Sequence, residues 1–133
     1  DVHFLVGGTQ ANMTVIAASL RPHQAVLAAH TGHICVHETG AIEATGHKAV
    51  GLASLDGRLS PKAAAEALAA HPDEHMVQPK MFTYRIRPRS AQRIRSGSSR
   101  SFPLLPRNGL WLYLDGARLA MALGRWAQRR DAA

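Results

Sequence analysis

The alternation of short apolar runs with segments of helical spacing most constrains the fold of this chain. The apolar runs are four to seven residues long, which suits strands, and apolar residues between them recur at helical spacing. Strand-helix alternation of this length predicts an α/β fold with a mostly parallel sheet and helices on both of its faces. The predicted strands are residues 2–6, 25–28, 49–55, 76–81 and 111–114. The predicted helices are residues 13–20, 34–45 and 62–71.

The helix boundaries carry local signals of their own. Ser60 is placed to cap a helix that has Pro61 at its first position, and the alanine-rich segment behind them ends before Pro72. Gly46 is placed to end the helix predicted over residues 34–45.

Length and composition exclude several classes of protein. The 133 residues allow one modest domain, and no stretch approaches the roughly 18 apolar residues of a membrane helix. Cys35 is the single cysteine, so an internal disulfide is excluded and a reducing cytoplasm is the expected location.

The net charge of +7 is concentrated in two segments. Residues 82–108 hold seven arginines and no acid, and residues 125–133 hold three arginines and one aspartate. The rest of the chain has six basic and eight acidic residues, so its balance is slightly acidic. The positive charge therefore belongs to two anomalous segments and not to the domain as a whole.

Three interpretations remain open for residues 82–108, where apolar residues follow neither period. The segment could be a nucleic-acid-binding arm, because arginines neutralise phosphates and Tyr84 and Phe102 could stack on bases. It could be an inserted loop. It could also be a translated frameshift in a GC-rich gene, which could recur over residues 125–133.

The run from Trp111 to Leu119 combines a predicted buried strand with an acid at its end, a glycine turn and an arginine. An acid at the carboxyl end of a parallel strand lies where open α/β sheets bind ligands, so Asp115 could bond a protonated ring nitrogen. Alternatively, Asp115 caps a helix that begins at Ala117, with Arg118 on its solvated face.

Two further groups of residues follow predicted strands. Gly7, Gly8 and Thr9 precede a helix, which suits a phosphate, but taken alone this weak motif favours a tight turn with a threonine cap. His30, His33 and His37 could be ordinary loop histidines, a ring that stacks on a planar cofactor, or metal ligands. Gly32 and the single cysteine weigh against a metal site.

Taken together, these motifs resemble those of the threonine aldolases, within the β-eliminating lyase group. The resemblance is carried by residues 7–12 (GGTQAN), 33–41 (HICVHETGA) and 114–119 (LDGARL), and it extends over residues 2–81 and 109–124. It implies part of the large domain of an aminotransferase-like, fold type I enzyme that uses pyridoxal phosphate. The implied reaction cleaves threonine-like β-hydroxy-α-amino acids to glycine and an aldehyde.

The resemblance also implies roles for individual residues. Gly8 and Thr9 would bind the cofactor phosphate, His33 would stack on the pyridine ring, and Asp115 would bond its ring nitrogen. Arg118 would contact the substrate carboxylate or nearby anionic groups of the cofactor. Two positions depart from the pattern: Gly7 stands where many relatives carry serine, and His37 where some carry another aromatic residue. No metal is implied.

An expected lysine is missing. Relatives carry a lysine that binds the cofactor covalently a few dozen residues after the Asp-Gly-Ala-Arg motif, and a small C-terminal domain that helps bind substrate. Here Lys48, Lys62 and Lys80 all precede Asp115. We therefore expect a partial, inactive chain of a homo-oligomeric family (dimer or tetramer). The alternative is a non-catalytic basic module that binds nucleic acid or another polyanion through residues 82–108.

Overall fold

The computed structural model describes residues 1–54, 59–85, 104–117, 119–121 and 123–124. In this part of the chain four parallel strands form one sheet in the order β2-β1-β3-β4. The predicted α/β class with a parallel sheet is confirmed. The strands are β1 (Gln24–Ala29), β2 (Lys48–Leu52), β3 (Gln78–Arg85) and β4 (Trp111–Asp115).

Helices cover both faces of the sheet, as predicted. One face packs against α1 and α2 around Ile16, Val26 and Met81, and the other packs against α3 and α4 around Leu27 and Phe82. Successive residues of β1 alternate between the two cores because side chains alternate across a strand. The helices are α1 (Gly8–Ser19), α2 (His33–Val36), α3 (Pro61–Ala69) and α4 (Leu104–Arg107).

The boundary signals at α3 and Gly46 are confirmed. The Ser60 hydroxyl accepts a hydrogen bond from the Ala63 backbone N–H at 3.1 Å, with Pro61 in the first turn. Gly46 has a φ of 83° and ends a short 3-10 turn, Glu43–Thr45, in the left-handed region that favours glycine.

Residues 2–6 do not form the predicted core strand. They have no strand assignment, and Phe4 and Val6 are 95% and 99% exposed. An apolar run becomes a strand only where a neighbouring strand accepts its backbone hydrogen bonds. In the described structure the central strand β1 already has β2 on one side and β3 on the other.

The prediction of one helix over residues 34–45 is also wrong. The segment is the single turn of α2 followed by a loop and the 3-10 turn, because Thr39 and Gly40 adopt positive φ values of 53° and 74°. Positive φ is incompatible with a right-handed helix. This break returns the chain towards α2 and brings Glu38 inside.

The last two strands differ from their sequence predictions in extent and burial. Strand β3 continues past Met81 to Arg85, so the first residues of the arginine-rich segment belong to the sheet, and α4 lies near its end. Strand β4 was predicted as buried, but Trp111, Leu112 and Leu114 are exposed because β3 is its only partner in the described sheet. Residues 86–103 and 125–133 lie outside the described residues, so the interpretations of these two segments stay predictions.

No helix within the described ranges is long and apolar enough to cross a membrane.

Candidate functional site

The strand order creates a crevice at one point of the sheet. From β1 the chain moves outward to β2 and then crosses to the other side of β1 to form β3. In open α/β sheets ligands bind outside the carboxyl ends of the strands at such a reversal. A pocket lies at this edge, and its lining includes residues from α1, the β1–α2 turn, β3 and β4: Asn12, Gly32, His33, Thr83, Tyr113 and Asp115.

Asp115 is the last residue of β4 and lines this pocket. Its Oδ1 also accepts a hydrogen bond from the Ala117 backbone N–H at 3.3 Å, the local turn contact that the alternative interpretation required. The two interpretations are therefore compatible, because a carboxylate has two oxygens with several acceptor positions.

The position of His33 follows from the glycine before it. Gly32 turns the chain sharply at the end of β1, where an added Cβ would lie 2.7 Å from the Ala29 carbonyl oxygen. Only glycine fits this approach. His33 therefore begins α2 directly above the end of β1, half-buried in the pocket wall.

The three histidines do not converge on a metal position. His33 and His37 have ring centroids 5.3 Å apart with planes tilted by 49°, whereas His30 contacts the Leu52 carbonyl oxygen through Nδ1 at 3.2 Å. Across the described residues, no group of three His, Cys, Asp or Glu side chains could hold a metal ion. Of the three histidines, His33 lines the pocket.

The predicted phosphate residues Gly8 and Thr9 are not part of the pocket lining; Asn12, about one helical turn further along α1, is. Gly7 precedes the helix without a side-chain cap, so Thr9 does not act as the cap that the alternative interpretation required. Added Cβ atoms on Gly7 and Gly8 would meet nothing within 4 Å, so the backbone here borders open space. Gly8 and Thr9 stand four and three positions before Asn12 and share its helix face.

A buried polar chain, a series of hydrogen-bonded side chains behind His33, was not predicted from the sequence. Glu38 Oε1 contacts His33 Nδ1 at 2.8 Å and accepts a hydrogen bond from Asn12 Nδ2 at 2.5 Å. Asn12 Oδ1 in turn accepts a hydrogen bond from the Tyr113 hydroxyl at 2.8 Å. The five-residue separation of His33 and Glu38 was visible in the sequence, but no helical or strand period joins them.

Tyr113 stays protonated under ordinary conditions. Burial raises the pKa of its hydroxyl, and the negative charges of Asp115 and Glu38 raise it further. A protonated hydroxyl can donate or accept, so the orientation of Asn12 is decided at its other end, where Nδ2 donates to the Glu38 carboxylate and leaves Oδ1 to accept from the Tyr113 hydroxyl.

All three lysines of the chain lie in the described part and away from the pocket. Lys48 begins β2 and Lys80 lies in the first half of β3, so both belong to the amino-terminal portions of their strands. Lys62 lies on the exposed side of α3, 3.6 Å from Glu66. The prediction that none of them has the required position is consistent with this geometry.

One predicted site residue, Arg118, lies outside the described residues, so its predicted contact with an anion stays a prediction. The same holds for residues 86–103, which include most of the arginines behind the nucleic-acid alternative.

A cofactor is implied by the resemblance, and the pocket fits part of it. The uncapped amino end of α1 suits a phosphate, the imidazole of His33 suits a planar ring, and the carboxylate of Asp115 suits a protonated ring nitrogen. None of Lys48, Lys62 and Lys80 lines the pocket, so the site residues fit the ring and not its covalent attachment.

Comparison with known proteins gives concordant results. A low specificity L-threonine aldolase of Pseudomonas sp. (strain NCIMB 10558) is 26% identical over 125 residues, which cover 92% of this chain and 36% of that protein. The solved structure of a Leishmania major threonine aldolase superposes with a TM-score of 0.78 and 43% identity, over 92% of this chain and 36% of that one. The chain thus spans about a third of the length of these relatives.

The match to a family model is broader. The model of the beta-eliminating lyases matches residues 1–131, nearly the whole chain. Together with the structural similarity, this match identifies the parallel sheet as part of an α/β domain of the fold type I class. The chain belongs to the beta-eliminating lyase family.

Proposed function

We propose that this chain forms part of the large domain of a pyridoxal-phosphate-dependent lyase that cleaves threonine-like β-hydroxy-α-amino acids to glycine and an aldehyde. One observation carries the proposal. In a chain of this family, His33 and Asp115 line the same pocket at the carboxyl edge of the sheet, and Asn12 of α1 lines it too. This arrangement suits a planar cationic ring, with the amino end of α1, one helical turn before Asn12, as the proposed phosphate site.

Each predicted site residue has a proposed role in binding the cofactor or the substrate. Gly8 and Thr9 offer backbone N–H groups and a hydroxyl to the phosphate, in the field of the α1 dipole. His33 packs its ring against the pyridine face, and Asp115 holds a proton on the pyridine nitrogen. Arg118 binds the substrate carboxylate. When bound, pyridoxal phosphate withdraws electrons from the Cα–Cβ bond that is cleaved, and more strongly when its nitrogen is protonated.

Binding of pyridoxine 5'-phosphate, which lacks the aldehyde and cannot react with lysine, tests the proposal directly. We expect saturable binding, measured by the ultraviolet spectrum of the bound ring, which distinguishes the protonated from the neutral pyridine. Asp115→Asn should weaken binding about ten- to hundredfold, because the net hydrogen bond to a charged group is worth about 1.5–3 kcal/mol. The bound ring should also lose its protonated spectrum.

Glu74→Gln is the matched control, because Glu74 is an exposed acid in the loop before β3. It should leave affinity and spectrum unchanged. If the unsubstituted chain binds no pyridoxine 5'-phosphate, or if Asp115→Asn and Glu74→Gln behave alike, the proposed cofactor site is wrong.

Purified alone, the 133-residue chain should cleave threonine no faster than free pyridoxal phosphate does. No lysine lies at the pocket to bind the cofactor or to move protons there. The measurement is glycine release from threonine in the presence of pyridoxal phosphate, and turnover above the free-cofactor rate would contradict the expectation.

The cellular location, the oligomeric state and the substrate class belong to the same proposal. The single cysteine supports a cytoplasmic location, and the family resemblance supports a homo-oligomer, a dimer or a tetramer, that acts on a small amino acid. The comparisons do not favour the alternative of a basic module that binds nucleic acid through residues 82–108.

A further inference from the structure

The buried carboxylate of Glu38 has no role in the site as described so far. Its side chain is fully buried next to His33, in the loop that follows α2. Burying a carboxylate is costly unless charged or polar partners compensate for the lost water. The groups that compensate Glu38 therefore indicate what the residue does.

Both compensating contacts reach a single oxygen. Oε1 accepts a hydrogen bond from Asn12 Nδ2 and contacts His33 Nδ1, while Oε2 is buried and has no hydrogen-bond partner among the described residues. Burial of a carboxylate to pack the core alone would favour partners for both oxygens. Here the partners converge on the oxygen that faces His33.

The hydrogen-bond directions along this chain are determined by chemistry. Glu38 Oε1 accepts from Asn12 Nδ2, which leaves Asn12 Oδ1 to accept from the Tyr113 hydroxyl. The same carboxylate oxygen accepts at His33, so the hydrogen between Glu38 and His33 lies on His33 Nδ1. In a neutral imidazole this leaves Nε2 as an acceptor, the tautomer that is the minor one in water.

We propose that Glu38 is the positioning residue of His33: it orients the imidazole in the pocket wall and holds it in the Nδ1–H tautomer, with Asn12 and Tyr113 holding the carboxylate in turn. The benefit of this orientation to cofactor binding rests on the proposed function. The orientation itself does not, because every contact is present in the protein alone.

The test is the tautomer of His33, read from long-range proton–nitrogen NMR spectra of the full chain with labelled histidine at alkaline pH. The chain has eight histidines, and His33→Gln identifies the signal. We expect the Nδ1–H tautomer in the unsubstituted chain. The Nε2–H tautomer there would overturn the proposal without any variant.

Two substitutions of Glu38 separate positioning from packing. Glu38→Gln retains an acceptor oxygen of nearly the same shape, so His33 should keep the Nδ1–H tautomer. Glu38→Ala removes the acceptor, so His33 should change to the Nε2–H form. Retention of the Nδ1–H form in folded Glu38→Ala contradicts the proposal, and so does its loss in folded Glu38→Gln. If Glu38→Ala does not fold, the His33 tautomer in the unsubstituted chain and in Glu38→Gln still tests the proposal.

Affinity for pyridoxine 5'-phosphate tests whether the orientation of His33 by Glu38 matters for cofactor binding. Glu38→Ala should weaken binding about tenfold, the value of one lost hydrogen bond that holds the ring, whereas Glu38→Gln should keep most of the affinity. Glu43→Gln, an exposed acid nearby, is the control. Absence of binding by the unsubstituted chain contradicts the proposed function, whereas a wrong tautomer contradicts the role of Glu38.

Discussion

Strands β1 and β4 read alike in the sequence but differ in burial. Residues of β1 from Ala25 to Ala29 are buried, because β1 has a strand on each side and helices on both faces. In β4, Trp111 and Leu112 project to opposite faces and are 62% and 52% exposed. The difference shows that an apolar run makes a strand, whereas burial depends on the elements around it.

The polar residues at the ends of the two strands, in contrast to the apolar ones, lie in similar surroundings. The chain after β1 supplies His33 and Glu38, and β4 supplies Tyr113 and Asp115, and these meet in one pocket or in the hydrogen-bonded chain behind it. The end of β4 is thus anchored by specific polar contacts, although its apolar side chains are exposed. The comparison predicts that stability lies in β1 and its cores, and that β4 contributes mainly through Tyr113 and Asp115.

The largest effect should come from deleting the same side chain in the two strands. Leu27→Ala in β1 removes a fully buried side chain and should lower the free energy of unfolding by about 2–5 kcal/mol. Leu112→Ala in β4 should lower it by less than about 0.5 kcal/mol, as for a surface position. Urea unfolding followed by circular dichroism measures both, and similar losses in the two variants would refute the comparison.

The next effect concerns the buried polar chain. Asn12→Ala removes a donor to Glu38 and the acceptor of Tyr113, so it should cost about 1–3 kcal/mol of unfolding free energy. Thr14→Ala, an exposed position in the same helix, is the control and should change stability by less than about 0.5 kcal/mol. If Asn12→Ala lowers the unfolding free energy no more than the control does, the hydrogen bonds of Asn12 to Glu38 and Tyr113 do not stabilise the fold.

The smallest effect is a pH dependence. Because the pKa of Tyr113 is raised in the folded state, the folded protein holds this proton more tightly than the unfolded chain does. Its contribution to stability is fully present below the ordinary tyrosine pKa of about 10 and is lost as the pH rises through the folded-state pKa. Tyr113→Phe should reduce this alkaline loss in thermal melts. Burial also raises the pKa of Cys35, which contributes in the same direction and remains in the variant. An unchanged alkaline loss in Tyr113→Phe would exclude Tyr113 as its source.

Much of the fold and part of the site followed from local signals. The Ser60–Pro61 helix start, the Gly46 stop and the apolar runs of β1 and β2 act over a few residues, so a linear reading detects them. Asp115 was placed at the end of a strand for the same reason. The two failures have different causes. Residues 2–6 have the composition of a strand but no pairing partner in the described sheet, and the helix predicted over 34–45 is broken by the positive φ of Thr39 and Gly40.

The sequence by itself determined the α/β class, the approximate positions of β1 to β4 and α3, and the strand ends near which His33 and Asp115 stand, because periodicity and turn residues are local properties. Only the tertiary structure decided that β1 and β3 are neighbours, that β4 is exposed, and that Asn12, Glu38 and Tyr113 join behind His33. Asn12 and Tyr113 are 101 positions apart, and their hydrogen bond forms only because the folded sheet and α1 bring them together.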